Sequence, residues 1–514
     1  MGLDNALHFE TPAEASRTRA EPWLRRIHPL LRRVRTAYLA LPRRTQMIVD
    51  ISLHLLLPFV IGFAIYVPLA MFDPAILSAW YVVLVLSLLS TALVISMECA
   101  HALRFPEPPL AAPPAADRLP VIGVVIAAHL VNEADTIMES LHHHLSVDYP
   151  VGKLIVVCSY NSAERLPVEA ELTRLAAEDP RFVALRVEGS RSKAENINAA
   201  LDYLTDCVDI IGFFDADHHP HPSVPLRAVR WLADEAGERR VDVVQGQCLI
   251  RNQGDSGVAA TVAAEFATMY AVSHPGRTSL NGFGIFGGSN GFWRSEVIEA
   301  IGMDPEMLTE DIDATSRALL AGYRIGTDPG MVSTELAPQT WTALWRQRMR
   351  WAQGWWEVTQ RHTVALLRSK HLSLQQKRGV GVLYVWRVLH PWLAAQMWPL
   401  IIALLLFRST TGHAYSWGVP IFVLTTLVTL GTPILQAAIA RRLSPPLLRD
   451  QRRLFVRFGF LSMLFYAEFK AIINRAAIVR DLFGMHEWNV TPRSRHTEVR
   501  REHTAHGSDD RAVA

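Results

Sequence analysis

Two long apolar runs, Met47–Phe72 and Ile76–Met97, constrain this chain more than any other feature in it. Each reaches the roughly 20 residues that a helix needs to cross a bilayer. Only a short turn containing Asp73 and Pro74 separates them. Two such runs side by side predict a membrane hairpin rather than a hairpin buried in a water-soluble core. Upstream, nine Arg fall between Arg17 and Arg44, with Glu21 the only acid among them. The positive-inside bias places that arm in the cytoplasm and returns the chain there after two crossings. The run comes too late and is too long for a secretory signal.

Later apolar runs lie at Gly379–Phe407, Trp417–Ala440 and Phe455–Ile473. Arg441, Arg442, Arg449, Arg452 and Arg453 mark the loop before the last run as cytoplasmic. That run contains Glu468 and Lys470, so a crossing, a re-entrant element and an interfacial helix all stay open. Composition agrees with membrane embedding: charged residues reach 19%, against the roughly 25% usual in soluble domains. A formal charge of +2 excludes a strongly basic nucleic-acid binder. Cys99, Cys158, Cys207 and Cys248 form no C-x-x-C pair, which argues against a zinc module or a disulfide framework.

From Leu119 the texture changes to short apolar runs alternating with helical patterns. Val121–Ala127, Leu154–Val157, Phe182–Arg186, Ile210–Phe214 and Val241–Cys248 read as buried strands. Ala134–Leu145 and Lys193–Leu204 read as helices between them, which predicts a mostly parallel, helix-flanked sheet. Trp341–Leu367 is helical in period and packs five Trp into its first 16 residues, as interfacial helices do. The chain therefore divides into an Arg-rich arm (1–46), a transmembrane hairpin (47–98) and a Pro-rich linker (99–118). An α/β domain (119–340), amphipathic interface helices (341–370), a C-terminal transmembrane region (371–480) and a polar tail (481–514) follow.

Three groups carry candidate chemistry. Asp215 and Asp217 follow the apolar strand Ile210–Phe214 directly. Open α/β sheets bind ligands at that end of a strand, and paired carboxylates there suit Mg²⁺ or Mn²⁺ bridging to a diphosphate. Thr309-Glu310-Asp311 precedes a helical stretch, either as a plain cap or as a source of a general base. Gln347, Arg350 and Trp351 are spaced i, i+3, i+4 on the Trp-rich helix. Arg suits a phosphate leaving group, and Trp suits a sugar ring. Two His clusters, His142-His143-His144 and His218-His219 with His221, offer imidazoles. The first lies at a helix end, where solvated His are ordinary; His218 is placed to assist a metal or phosphate beside Asp217.

In this order, inside an α/β domain framed by apolar segments, the three groups resemble the membrane-bound family 2 glycosyltransferases. Within that family they are most similar to the processive synthases of poly-N-acetylglucosamine, hyaluronan, chitin and cellulose. Met307–Asp313 and Leu344–Gly354 are especially like the poly-N-acetylglucosamine synthases. The resemblance implies a GT-A nucleotide-sugar domain framed by transmembrane helices, in a multi-pass cell-membrane protein with its catalytic domain in the cytoplasm. It implies inverting transfer from a nucleotide-sugar, a UDP-sugar first, to a growing β-linked polysaccharide, with product export and accessory export subunits. It also implies that Asp217 holds the divalent cation, with Asp215 beside the nucleotide. Asp311 becomes the base, with Glu310 next to it, and Gln347, Arg350 and Trp351 meet the diphosphate and the acceptor.

The family's donor-side residues map onto Asn132, Glu133 and Lys193, and its Gly-rich acceptor loop onto Gly287–Phe292, including Gly288 and Ser289. Glu487–Arg493 is similar to a segment that follows the last apolar run in relatives. Two departures stand out. Ser159 occupies the place of an Asp that contacts the base, which weakens the implied preference for uridine. Ala128–Glu133 replaces a shorter Pro-Ala-Tyr-Asn-Glu loop. Two other readings fit the same frame: a single-step transferase with a lipid acceptor, and a transporter or scaffold with a degenerate nucleotide-binding domain.

Overall fold

The computed structural model describes residues 33–105, 114–232, 241–406 and 418–485. The first 32 residues of the Arg-rich arm, the Pro-rich stretch 106–113, the Glu487–Arg493 segment and the rest of the tail lie outside them.

The first two apolar runs form the expected hairpin, with helices Arg43–Phe72 and Pro74–Arg104. Asp73 caps the second helix, its carboxylate accepting from the Ala75 N–H at 2.9 Å. Along the first helix the buried residues recur every fourth position: Gln46, Asp50, His54, Pro58, Gly62 and Tyr66. Leu55, Leu56, Val60 and Ile65 point outward and are exposed. Polar and small groups inward with aliphatic groups outward is the inverse of a water-soluble helix and suits a lipid surround. Among the described residues, four helices are long and apolar enough to cross a membrane: the hairpin pair, Leu374–Leu406 and Gly418–Leu443.

The last apolar run is also helical, but it is not one of those four. Its charges bind it to the rest of the molecule. Arg475 is buried, pairing with Glu468 at 2.6 Å and donating to the Pro391 carbonyl at 2.9 Å. Arg480 pairs with Asp50 of the first helix at 2.6 Å.

Eight strands make one sheet in the order β3-β2-β1-β4-β7-β6-β8-β5. They are β1 (Ile122–His129), β2 (Leu154–Asn161), β3 (Phe182–Arg186), β4 (Ile210–Asp215), β5 (His219–Pro220), β6 (Val243–Ile250), β7 (Gly291–Arg294) and β8 (Ile325–Glu335). The near-continuous burial of β1, β2 and β4 is what a sheet covered on both faces requires. One cluster of buried side chains lies on each face.

The first half of the sheet, β3-β2-β1-β4, is parallel as expected. The second half is mixed: β6 and β8 run parallel, but β7 runs antiparallel to both β4 and β6, and β5 is antiparallel to β8. Sequence reading missed β7 because four residues after a Gly-rich loop carry no period. It is held by close approach at Gly212, where an added Cβ would lie 2.5 Å from the Phe292 ring. The carboxyl ends of β1, β2 and β4 come level, with His129 opposite Asn161 and Ala127 opposite Asp215.

Candidate active site

β4 delivers Asp215 to the rim of the sheet, and Asp217 follows fully buried. The Asp215 N–H donates to Ser289 Oγ at 3.1 Å, tying the strand end to the Gly-rich loop. One Asp217 carboxylate oxygen accepts from the Leu336 N–H at 2.9 Å. Asp215, Asp217 and His218 each offer a ligand atom, all within 4.8 Å of one another. Two carboxylates and an imidazole form a donor set that fits Mn²⁺ or Mg²⁺.

Lys193 is the hub. It is the first residue of the helix Lys193–Leu204, whose start Ser192 caps through the Glu195 N–H. Its ammonium lies 2.6 Å from Asp215 and 3.5 Å from Glu310, and it donates to the Gly288 carbonyl at 3.0 Å. Burial alone would depress its pKa, but Asp215 and Glu310 outweigh burial and hold it above the usual lysine range. One cation therefore joins the end of β4, the Gly-rich loop and the Glu310–Asp311 pair.

Glu310 and Asp311 open the helix Glu310–Leu320, where carboxylates are favoured. Burial, reinforced by the charge of Glu310, pushes the Asp311 carboxyl up to about 7, against the opposing pull of Lys193 and Arg350. A carboxylate poised near neutrality suits a general base. The same helix is anchored two residues on. Asp313 is fully buried, bonded to His362 at 2.6 Å and to Arg317 at 2.7 Å. His362 belongs to the Trp-rich helix, so the base helix and the Trp-rich helix are locked together.

Gly288 backs directly onto Asp311. Its φ of +84° is in the left-handed region, and an added Cβ would sit 2.7 Å from Asp311 Oδ2. Gly288→Ala is expected to displace that carboxylate. Misplacement by about 1 Å costs on the order of 100-fold in rate, whereas the left-handed residue costs the fold about 1–2 kcal/mol. Turnover and melting temperature measured on the same preparation separate the two effects.

The Trp-rich helix spans Trp341–Arg368. Gln347 is buried and accepts from Arg348 at 3.0 Å. Trp351 lies under the Arg348 guanidinium, 4.1 Å from its ring centre, and beside Phe266. Arg350 turns the other way and reaches the Leu308 carbonyl at 3.4 Å, just before Glu310. Arg348, which the sequence motif passes over, makes the strongest contacts. It pairs with the largely buried Glu265 at 2.6 Å, and Tyr466 and Lys470 also reach that carboxylate at 2.8 and 3.4 Å. Burial raises the Glu265 pKa, but Arg348 and Lys470 prevail and bring it down to about 2.

On the donor side, Glu133 caps the helix Leu130–Leu145 by accepting the His129 N–H at 2.8 Å, and Asn132 is buried beside it. Ser159 is fully buried within β2, and its hydroxyl has no hydrogen-bond partner among the described residues. The polar group that reaches the end of β2 is Asn161, bonded to His129, to Asn196 and to the Ser190 carbonyl. Sequence reading missed this set. Its signal was the period-2 step from Ser159 to Asn161, which continues the strand past its apolar residues. Of the first His cluster, His142 and His143 are exposed as expected, but His144 is buried and bonded to the Ser140 carbonyl.

Residues 210–435 match the family model described as "Glycosyl transferase family group 2". The chain is 26% identical over 271 residues to the poly-beta-1,6-N-acetyl-D-glucosamine synthase of Staphylococcus aureus (strain MSSA476), covering 52% of this chain and 63% of that protein. It is 26% identical over 270 residues to the probable glycosyltransferase YdaM of Bacillus subtilis (strain 168), covering 52% of this chain and 61% of that one. The alignment thus spans under two thirds of the length of these relatives. Among solved structures, the mannosyltransferase PcManGT of Pyrobaculum calidifontis, in complex with GDP-Man and Mn²⁺, superposes with a TM-score of 0.53 at 21% identity. That match covers 80% of this chain and 100% of the other, and it establishes the fold. With its mixed sheet, its strand-end carboxylates and these matches, the chain has the GT-A fold and is similar to the family 2 glycosyltransferases, poly-N-acetylglucosamine synthases among them.

Proposed function

We propose that this protein is an inverting membrane glycosyltransferase that extends a β-linked polysaccharide from a nucleotide-sugar donor, a UDP-sugar first among candidates. The observation that carries the reading is Lys193, which holds the strand-end Asp215 and the base-side Glu310 on one ammonium. A donor at the strand ends and an acceptor at Asp311 then share one compact site. Asp311 takes the proton of the acceptor hydroxyl, whose oxygen attacks the sugar's C1 from the face opposite the leaving nucleotide. Arg350 and Lys193 are placed to stabilise charge gathering on the departing diphosphate. Asp215, Asp217 and His218 are the residues that would hold a divalent cation, which when bound supplies further neutralisation of that charge. Four helices long and apolar enough to cross a membrane support reading this chemistry as taking place at a membrane surface, with the acceptor end near the Trp-rich helix.

The test is incubation of membranes with a panel of labelled nucleotide-sugars, with and without a chelator, followed by sizing of the product. A labelled polymer that requires divalent cation is expected. A single labelled glycolipid would replace the polymer with a one-step transfer. No transfer and no donor hydrolysis from any nucleotide-sugar would remove the enzymatic reading altogether.

A further inference from the structure

The two His clusters converge on a second place. Glu139 and His143 lie one turn apart on the helix Leu130–Leu145, and i, i+4 spacing puts them on one face. His219 opens β5, which packs against that helix. The His143 and His219 rings stack with centres 4.0 Å apart. One carboxylate oxygen and one nitrogen from each ring all fall within 4.8 Å of one another. In addition, His219 Nε2 is buried and has no hydrogen-bond partner among the described residues. An orphaned buried ring nitrogen is costly unless something binds it.

We propose that Glu139, His143 and His219 form a binding site for a zinc-type divalent metal, distinct from the oxygen-rich site of Asp215 and Asp217. Two imidazoles and one carboxylate select Zn²⁺, Ni²⁺ or Cu²⁺ over Mg²⁺ and Ca²⁺. A tetrahedral shell with Zn–N of about 2.0–2.1 Å needs ligand atoms about 3.4 Å apart. Glu139 and His143 are exposed, so rotation of their side chains closes that gap and leaves the fourth position to water. The site lies two residues beyond Asp217, so an ion there fixes the segment leaving the donor carboxylates.

The test uses the full chain in detergent, stripped of metal and titrated with Co²⁺ in the presence of excess Mg²⁺. The visible absorption of tetrahedral Co²⁺ is expected to saturate at about one equivalent and to be abolished by Zn²⁺. His143→Ala and Glu139→Gln, both surface changes, are expected to weaken binding at least ~10-fold, and Asp217→Asn to leave it in place. Because the readout is binding, it stands whether or not transfer is detected. Absence of the tetrahedral signal, indifference to His143→Ala, or loss in Asp217→Asn with His143→Ala unaffected would each overturn the proposal.

Discussion

Asp311→Asn is expected to lower transfer by about 10²–10⁴-fold while donor affinity stays within a few-fold. The amide keeps the size of the carboxylate and its acceptance of the Ile312 N–H, now 2.9 Å, but it cannot take the acceptor's proton. Initial rates with a labelled donor, alongside donor titration calorimetry, measure the two quantities independently. Near-normal turnover would remove Asp311 from the base role.

The pH profile gives the same assignment a second check. Asp311 must be deprotonated to act, and its carboxyl is pushed up to about 7. Therefore kcat/KM is expected to rise through neutrality and level off above it. Glu310→Gln removes the neighbouring charge that raises the Asp311 pKa, so the rise moves to lower pH. In Asp311→Asn this rise disappears.

The legible parts of this molecule are those with a local physical cause. A uniformly apolar Ile210–Phe214 running into Asp215 announces a strand covered on both faces with an acidic end. The Trp-rich helix was bounded to within one residue because its period and its Thr340 cap are local. The illegible parts depend on partners distant in sequence. Nothing near Lys193 says that its ammonium will lie between Asp215 and Glu310. The Asp313–His362 bond joins residues 49 positions apart, and no periodicity encodes it. Likewise the left-handed Gly288 reads as one more glycine until Asp311 is seen packed against it. Ser159 shows the limit of reading by position alone: the resemblance puts it at or near the place of a base-contacting acid, yet the strand buries it and presents Asn161 at the edge.

Arg348 and Arg350 sit two residues apart, and their substitution is expected to separate folding from catalysis. Arg348→Met leaves the Glu265 carboxylate buried with its principal partner gone, a loss of roughly 3–5 kcal/mol for a broken buried pair. Glu265 is held down to about 2, so the stabilisation it gives is present above the ordinary carboxylate pKa and fades as pH falls from there toward about 2. Arg348→Met should therefore show a lowered melting temperature in detergent at neutral pH. Arg350 hydrogen-bonds, among the described residues, to the Leu308 carbonyl at 3.4 Å, so Arg350→Met should melt close to the unmodified protein while losing transfer. Glu265→Leu combined with Arg348→Met tests the cause. Removing both charges eliminates the uncompensated carboxylate, so the double variant should melt above Arg348→Met alone. If the single and double variants melt together, the ion pair is not what fixes this helix. The pair matters beyond stability because of where it lies. Glu265 on Gly257–Thr268 gathers Arg348 from the Trp-rich helix with Tyr466 and Lys470 from the last helical stretch. The helix carrying Trp351 and Arg350 is thereby held to the last helical stretch by one largely buried carboxylate.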